Sequence, residues 1–169
     1  MRYFEKINYD QFKKDICDNK ELYNSYDLPK RATKQSAGYD FFALDDIEIK
    51  KGQIKKIATG VKVKLNDGEF LALFVRSGMG TRNNIRMCNQ VGIVDADYYG
   101  NDTNDGHIFV FLQNEGQTDF KIKKGQHFVQ GIFQKYLTVD NEEEINEKRL
   151  GGFGSTSEKE ERLWVKIFI

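Results

Sequence analysis

The chain has a single proline, Pro29, and only two cysteines, Cys17 and Cys88. Two thiols are too few for a disulfide framework, and neither has a CxxC partner, so both are expected to be reduced in a cytoplasmic protein. Net charge is also missing. The 26 lysines and arginines balance 26 aspartates and glutamates, which leaves no overall field to draw in nucleic acid or a membrane surface. A protein of this kind handles an anion, if at all, through the local placement of charges and backbone dipoles. No apolar run approaches the ~18 residues of a membrane span, and the N-terminus, MRYFEKINYDQF, lacks the apolar stretch of a secretory leader. His107 and His127, the only histidines, give no metal-ligand spacing.

What the chain does have is glycine, 15 residues of it, and 13% aromatics, in a length of 169 residues that suits one domain. Turning by glycine, with aromatics to fill a core, fits a fold of short strands and tight turns. Near the N-terminus, Tyr9, Phe12, Ile16 and Tyr23 recur at roughly helical spacing, with Asn8 or Asp10 available as cap, which predicts one short helix within residues 8–24. The linker SYDLPKRATKQ then reads as extended. From Tyr39 the period changes to two. GYDFFAL, IEIKKGQIKKIA, VKVKL, FLALFVRSG, HIFVFLQN, FKIKKG and HFVQGIFQKY all read as strands. Lys50–Gln53, Asn66–Glu69 and Lys123–Gln126 read as hairpin turns, each with glycine where positive φ is needed. NEEEINEK (Asn141–Lys148) reads as an exposed tether, and the alternation in LWVKIFI at the C-terminus as a short strand that needs a partner surface.

Five islands of glycine and polar residues interrupt the strands, and each has a plain reading beside a functional one. In SAGYDFF (Ser36–Phe42), Asp40 is either a solvated turn residue or a working carboxylate. In VRSGMG (Val75–Gly80), an Arg-Ser-Gly turn offers amides, a hydroxyl and a guanidinium to a phosphate, or is a surface turn. In CNQVGIVDADYYG (Cys88–Gly100), Asp95 and Asp97 are expected on one strand face beside two tyrosines, as a general base, metal ligands or a hairpin rim. Asn89 there can read a base edge with donor and acceptor together, whereas Cys88 lacks the histidine motif of a nucleophile. In KKGQHFVQGIF (Lys123–Phe133), Gln130 interrupts an apolar alternation, and His127 reads as a strand residue facing solvent. In KRLGGFGSTS (Lys148–Ser157) the ending of a Walker loop is missing. Its glycines, Ser155, Thr156 and Arg149 could still cradle phosphate oxygens, with Phe153 free to stack on a flat ligand; a disordered tail is the plain alternative.

In order and spacing these five islands resemble the five motifs of the trimeric dUTPase family, from about Leu28 to Ser157. The N-terminal helix and the form DADYYGN…NDGHIFV are most similar to the dUTPases of low-GC Gram-positive bacteria and their phages. The resemblance implies an all-β, jelly-roll-like barrel at 28–140, an N-terminal helical extension at 1–27, and a tether, glycine-rich arm and tail at 141–169. It further implies a cytoplasmic homotrimer whose active sites are shared between subunits, and hydrolysis of dUTP to dUMP and pyrophosphate. By the same resemblance Asp95 is the general base, Tyr98 packs on the deoxyribose, and Asn89 reads uracil with hairpin backbone such as Gly92. Arg76, Ser77 and Gly78 meet the α- and β-phosphates, with Gln130 near the phosphates. Phe153 stacks, and Arg149, Gly154, Ser155 and Thr156 grip the γ-phosphate. The Mg²⁺ of the family is held mainly by substrate phosphates, with Asp40 acting through water.

This chain departs from the family pattern at three places. His127 stands where arginine or lysine is usual; a longer form of the fifth motif would align Lys148 in place of Arg149; and Glu158–Ile169 extends past the usual end. Two other functions compete. A dCTP deaminase of related fold would need a catalytic glutamate on the strand after the hairpin, and GHIFVFLQN has no carboxylate between Gly106 and Asn114. A phage-type regulatory binding role, carried by the added C-terminal segment, would accompany catalysis.

Overall fold

The computed structural model describes residues 1–144. Arg149, Phe153, Gly154, Ser155 and Thr156, the rest of the arm, and the expected C-terminal strand lie outside the described residues.

Alternation builds the expected strands. In β6 (Val61–Lys64), Val61 and Val63 are buried while Lys62 and Lys64 point outward; in β10 (Phe109–Asn114) the buried set is Val110, Leu112 and Asn114. The largest sheet has five strands. Its order is β2 (Lys30–Arg31), β3 (Tyr39–Phe42), β12 (His127–Lys135), β7 (Glu69–Val75) and β9 (Gly92–Asp95). A second sheet orders β5 (Ile54–Ala58), β10 and β8 (Ile85–Met87). Two-stranded ribbons pair β1 (Tyr3–Lys6) with β6, and β11 (Phe120–Ile122) with β4 (Ile47–Ile49). Every pairing among the described residues is antiparallel. Phe41, Leu71, Leu73 and Val129 from the five-stranded sheet share one apolar core with Ile57, Val110 and Leu112 from the three-stranded sheet. The fold is the all-β, jelly-roll-like barrel expected.

The three glycine turns form, but they are not hairpins. Gln53 N donates to Lys50 O at 2.9 Å, Glu69 N to Asn66 O at 3.2 Å, and Gln126 N to Lys123 O at 2.9 Å. Gly52, Gly68 and Gly125 all have positive φ. Yet β4 and β5, on either side of the first turn, pair with β11 and β10 and not with each other. The turns are corners at which the chain changes sheet, as a jelly roll requires.

The N-terminal region also differs from expectation. In place of one helix there are two, α1 (Tyr9–Asp15) and α2 (Lys20–Ser25). Asn8 caps the first, its side chain accepting from Gln11 N at 2.9 Å; Asn19 caps the second, accepting from Leu22 N at 2.9 Å. A second cap within the helical stretch gives the backbone a new start, so the helix breaks between them. The pair packs through Ile7, Phe12, Tyr26 and Leu44, with the Phe12 ring centroid 5.2 Å from Tyr23 and 5.7 Å from Tyr26. The strand β1 was not anticipated. It joins this layer to the barrel through β6, and Phe4 packs on Phe41 with ring centroids 5.6 Å apart.

Candidate active site

Two places on the barrel gather the residues singled out by sequence, and they lie at opposite ends of β7.

The first is a cleft of about 320 Å³ between β9, the segment before it, and β10. That volume falls at the lower end of the range for small-molecule sites. Asn89, Gly92, Asp95 and Tyr98 all line it, with Leu73, Met87, Val91, Phe109 and Phe111 as apolar wall. Asp95 closes β9, in register with Phe70 of β7. A 3₁₀ turn, Ala96–Tyr98, follows directly. Asp97 therefore does not share a strand face with Asp95, contrary to the two-residue period, because the chain leaves the strand between them; Asp97 is not among the cleft residues.

The turn delivers Tyr98 into the cleft with its phenol anchored behind. Its Oη donates to His107 O at 2.9 Å and accepts from Asn104 Nδ2 at 2.7 Å. The ring is 8% exposed. Cys88 is half-buried, and burial pushes its thiol up, away from the thiolate that a nucleophile needs.

The second place is the far end of β7, where β3 and β12 flank it. Arg76 follows β7 directly and caps a short helix, α3 (Ser77–Asn83). A turn was expected here. A helix forms because Met79 N and Gly80 N both turn back to Arg76 O, at 3.0 and 3.1 Å, and Asn84 ends it in the left-handed conformation at φ 52. Ser77 and Gly78 thus occupy the first helical turn, where backbone N–H groups lack intrahelical acceptors.

Asp40 on β3 is buried, with Arg76 Nε 3.3 Å from its Oδ1 and His127 Nδ1 3.7 Å from its Oδ2. Gln130 is Asp40's register partner on β12, and its Oε1 lies 2.3 Å from where a Cβ on Gly38 would stand, so a side chain there would push the amide out of its present place. Asp40, Arg76, His127 and Gln130 therefore form one charged cluster. Half-exposed His127 faces solvent as expected, while also edging toward Asp40.

From Phe70, the register partner of Asp95, to Arg76 just past the end of β7 the chain takes six residue steps. At about 3.3 Å per residue, that sets Asp95 roughly 20 Å from Arg76 along the sheet.

Among the described residues no cluster of three or more His, Cys, Asp or Glu could hold a metal ion. Asp40 is the one carboxylate in the charged cluster, and its two oxygens already face the Arg76 guanidinium and the His127 ring. That donor set fits a Mg²⁺ that keeps its waters and phosphate ligands, with Asp40 as an outer partner, because Mg²⁺ dehydrates reluctantly. Among the described residues no helix is long and apolar enough to cross a membrane.

Several site residues were not foreseen. Phe109 and Phe111 form a cleft wall, and the signal was present: they occupy two of the three outward positions of a strand whose inward Val110 and Leu112 are already apolar. Asn101, Asn104 and His107 anchor Tyr98 from behind, and their run of Asn, Asp and Gly reads from sequence only as a loop.

Comparison with known proteins bears on the family and the fold. A dUTPase family model matches residues 24–157. The deoxyuridine 5'-triphosphate nucleotidohydrolase of Lactococcus lactis is 41% identical over 130 residues, 76% of this chain and 87% of that protein. That of Rickettsia felis is 39% identical over 144 residues, 81% of this chain and 93% of that protein. Among solved structures, dUTPase from Streptococcus mutans superposes with a TM-score of 0.67 at 35% identity, covering 82% of this chain and 98% of the other.

Proposed function

The chain belongs to the dUTPase family, low-GC Gram-positive type, and hydrolyses dUTP to dUMP and pyrophosphate; from that premise we propose how its residues divide the work. The cleft at the start of β7 takes the nucleoside. Asn89 and the backbone at Gly92 read uracil, and the Tyr98 ring packs against the deoxyribose and leaves no room for a 2′-hydroxyl. Asp95, at the mouth of β9, deprotonates the water that attacks the α-phosphorus. The observation that carries this reading is that one cleft holds Asn89, Gly92, Asp95 and Tyr98 together. A general base so placed contributes roughly 100- to 10,000-fold in rate.

The charged cluster takes the phosphates of a nucleotide whose base lies in another copy of the chain. Arg76, with the amides of Ser77 and Gly78, meets the α- and β-phosphate oxygens, and Gln130 lies beside them. Oriented donors of this sort stabilise charge as it develops on the leaving group. Mg²⁺, when bound, spreads the charge of the departing pyrophosphate. Asp40 reaches it through water. In this reading Arg149, Gly154, Ser155 and Thr156 grip the γ-phosphate and Phe153 stacks on the base; all five lie outside the described residues. The separation of about 20 Å between Asp95 and Arg76 supports a homotrimer with shared sites, because one chain does not bring its two halves to one nucleotide.

The deaminase alternative has less support. On β10 the residues lining the cleft are Phe109 and Phe111, and neither can act on an amino group. Pyrophosphate release from dUTP, dCTP, UTP and dTTP with Mg²⁺ tests the assignment: dUTP is turned over selectively. Ammonia release from dCTP would overturn it.

A further inference from the structure

Behind Tyr98 lies a set of contacts that the hydrolytic scheme does not use. His107 is fully buried at the end of the 96–107 loop. Its Nε2 accepts from Gly60 N at 2.9 Å, which fixes the proton on Nδ1. Nδ1 then donates to Asp15 Oδ2 at 2.6 Å, at the last residue of α1. The ring packs on Phe109 of the cleft wall with centroids 4.1 Å apart, and the His107 carbonyl accepts the Tyr98 phenol. One residue therefore touches two members of the cleft and one member of the N-terminal layer. Burial pushes the imidazole down, in favour of the neutral ring, against the opposing pull of Asp15 and Asp105.

The loop around it is fixed as well. Asn104 Nδ2 donates to Tyr98 Oη at 2.7 Å, and Asn101 Nδ2 donates to Asn104 Oδ1 at 2.8 Å and to Tyr98 O at 2.9 Å. Asp105 accepts from Asn8 N at 2.6 Å and from Lys62 at 3.0 Å, a second tie between the loop and the start of α1. Gly106, at φ 76, leaves no room for a Cβ, which would meet Gly100 N and Tyr98 O at 2.8 Å. Gln11 Nε2 donates to the same Asp15 Oδ2 at 2.7 Å.

We propose that Asp15 and His107 are positioning residues that set the depth of Tyr98 in the cleft, so that the N-terminal helix controls discrimination between deoxyribo- and ribonucleotides. The proposal rests on the reading that Tyr98 packs against the sugar. A ring that excludes one hydroxyl must hold its place to within a fraction of an ångström, and a phenol anchored on a single carbonyl does so only if that carbonyl is itself fixed. Asp15, His107 and Asn104 provide that fixation from two directions.

The test is the ratio of kcat/KM for dUTP over UTP in the full chain. Asp15→Ala removes the acceptor and is expected to lower the ratio about tenfold, chiefly through gain of UTP turnover, while Asp15→Asn keeps an acceptor oxygen and retains the wild-type ratio. Asn104→Ala, which removes the Nδ2 bonds to the Tyr98 phenol at 2.7 Å and to the His107 carbonyl at 3.3 Å but leaves the Asp15–His107 contact in place, is expected to lower the ratio similarly. Tyr98→Leu serves as the control on the underlying reading. If Tyr98→Leu relaxes the ratio but Asp15→Ala scales both substrates equally, or neither, the positioning role is overturned and the reading of Tyr98 stands. If Tyr98→Leu leaves the ratio unchanged, the reading of Tyr98 falls, and the proposal with it.

Discussion

At the start of β7 the chain places a cleft walled by Leu73, Met87, Phe109 and Phe111, with one carboxylate, Asp95, at its edge. At the end of the same strand it places Arg76, Asp40, His127 and Gln130, charged or amide groups gathered on a buried carboxylate. The first region suits a flat, weakly polar base and a sugar; the second suits phosphate oxygens. They also differ in how they are held. The cleft is braced from behind by the N-terminal layer, through Asp15, Asn8 and Glu5, the last accepting from the Tyr99 phenol at 2.5 Å. The charged cluster is held by β-sheet register and by the cap of α3. The difference teaches that one strand can carry an apolar cleft and a charged cluster held by different parts of the fold.

The largest effect should come from Asp95→Asn, which lowers dUTP turnover by about 100- to 10,000-fold while dUTP still binds; equilibrium binding beside steady-state hydrolysis separates the two. Arg76→Ala should act on the other half. It removes a charge-assisted contact worth about 1.5–3 kcal/mol, so dUTP capture weakens by about one to two orders of magnitude. If both variants showed the same loss in binding and in turnover, the division between the regions would be wrong. Gly106→Ala should damage only the cleft. Forcing a side chain into its left-handed conformation costs about 1–3 kcal/mol, read as a lowered unfolding midpoint. Phosphate binding to the charged cluster, followed by the line broadening of Arg76 side-chain signals, should be unchanged.

The smallest effect is on acid stability. His107 lies below its ordinary value of 6.5 because it is buried, so as pH falls the unfolded chain takes up its proton first. This contribution to stability is complete above 6.5 and declines below it. Glu69 acts in a lower window. Arg2 and Asn66 hold its carboxyl at about 2, against an ordinary 4.5, so its contribution is whole above 4.5 and is lost as pH falls toward 2. Denaturant titrations from pH 8 to 3 should show the first decline near 6.5, and His107→Asn should remove it.

Much of the barrel was legible because alternation is a local signal. Val61 to Lys64 divides into buried valines and outward lysines as its sequence divides, whereas Phe109 to Asn114 keeps the two-residue period while turning Phe109 and Phe111 outward and Asn114 inward. The pairing was not legible. A turn such as Lys50–Gln53 is fixed by one hydrogen bond and one glycine, and neither carries information on which strand each arm will join. The helix α3 was hidden because Ser77–Asn83 contains two glycines and a single apolar residue, Met79, which packs against the core; Asn84 ends it in the left-handed conformation.

In the site, Asp95, Tyr98 and Asn89 were found through the order of motifs, not through any property of the residues taken alone. His107 escaped because a lone histidine gives no sign of burial in a sequence; its place is set by Gly60 and Asp15, far away along the chain. Asp97 was misplaced because the two-residue period was carried past the end of the strand at Asp95.

The central claim, that Asp95 of one copy works with Arg76 of another, is tested most directly by mixing two impaired variants and assaying them at dUTP too dilute to saturate the Arg76→Ala chain. Asp95→Asn and Arg76→Ala chains, unfolded together and refolded at equal amounts, should regain about a quarter of wild-type dUTP hydrolysis, as random assortment in a closed oligomer places an intact Asp95 beside an intact Arg76. Recovery no greater than the sum of the separately refolded variants would contradict the account, since it would mean that each chain supplies both halves of its own site.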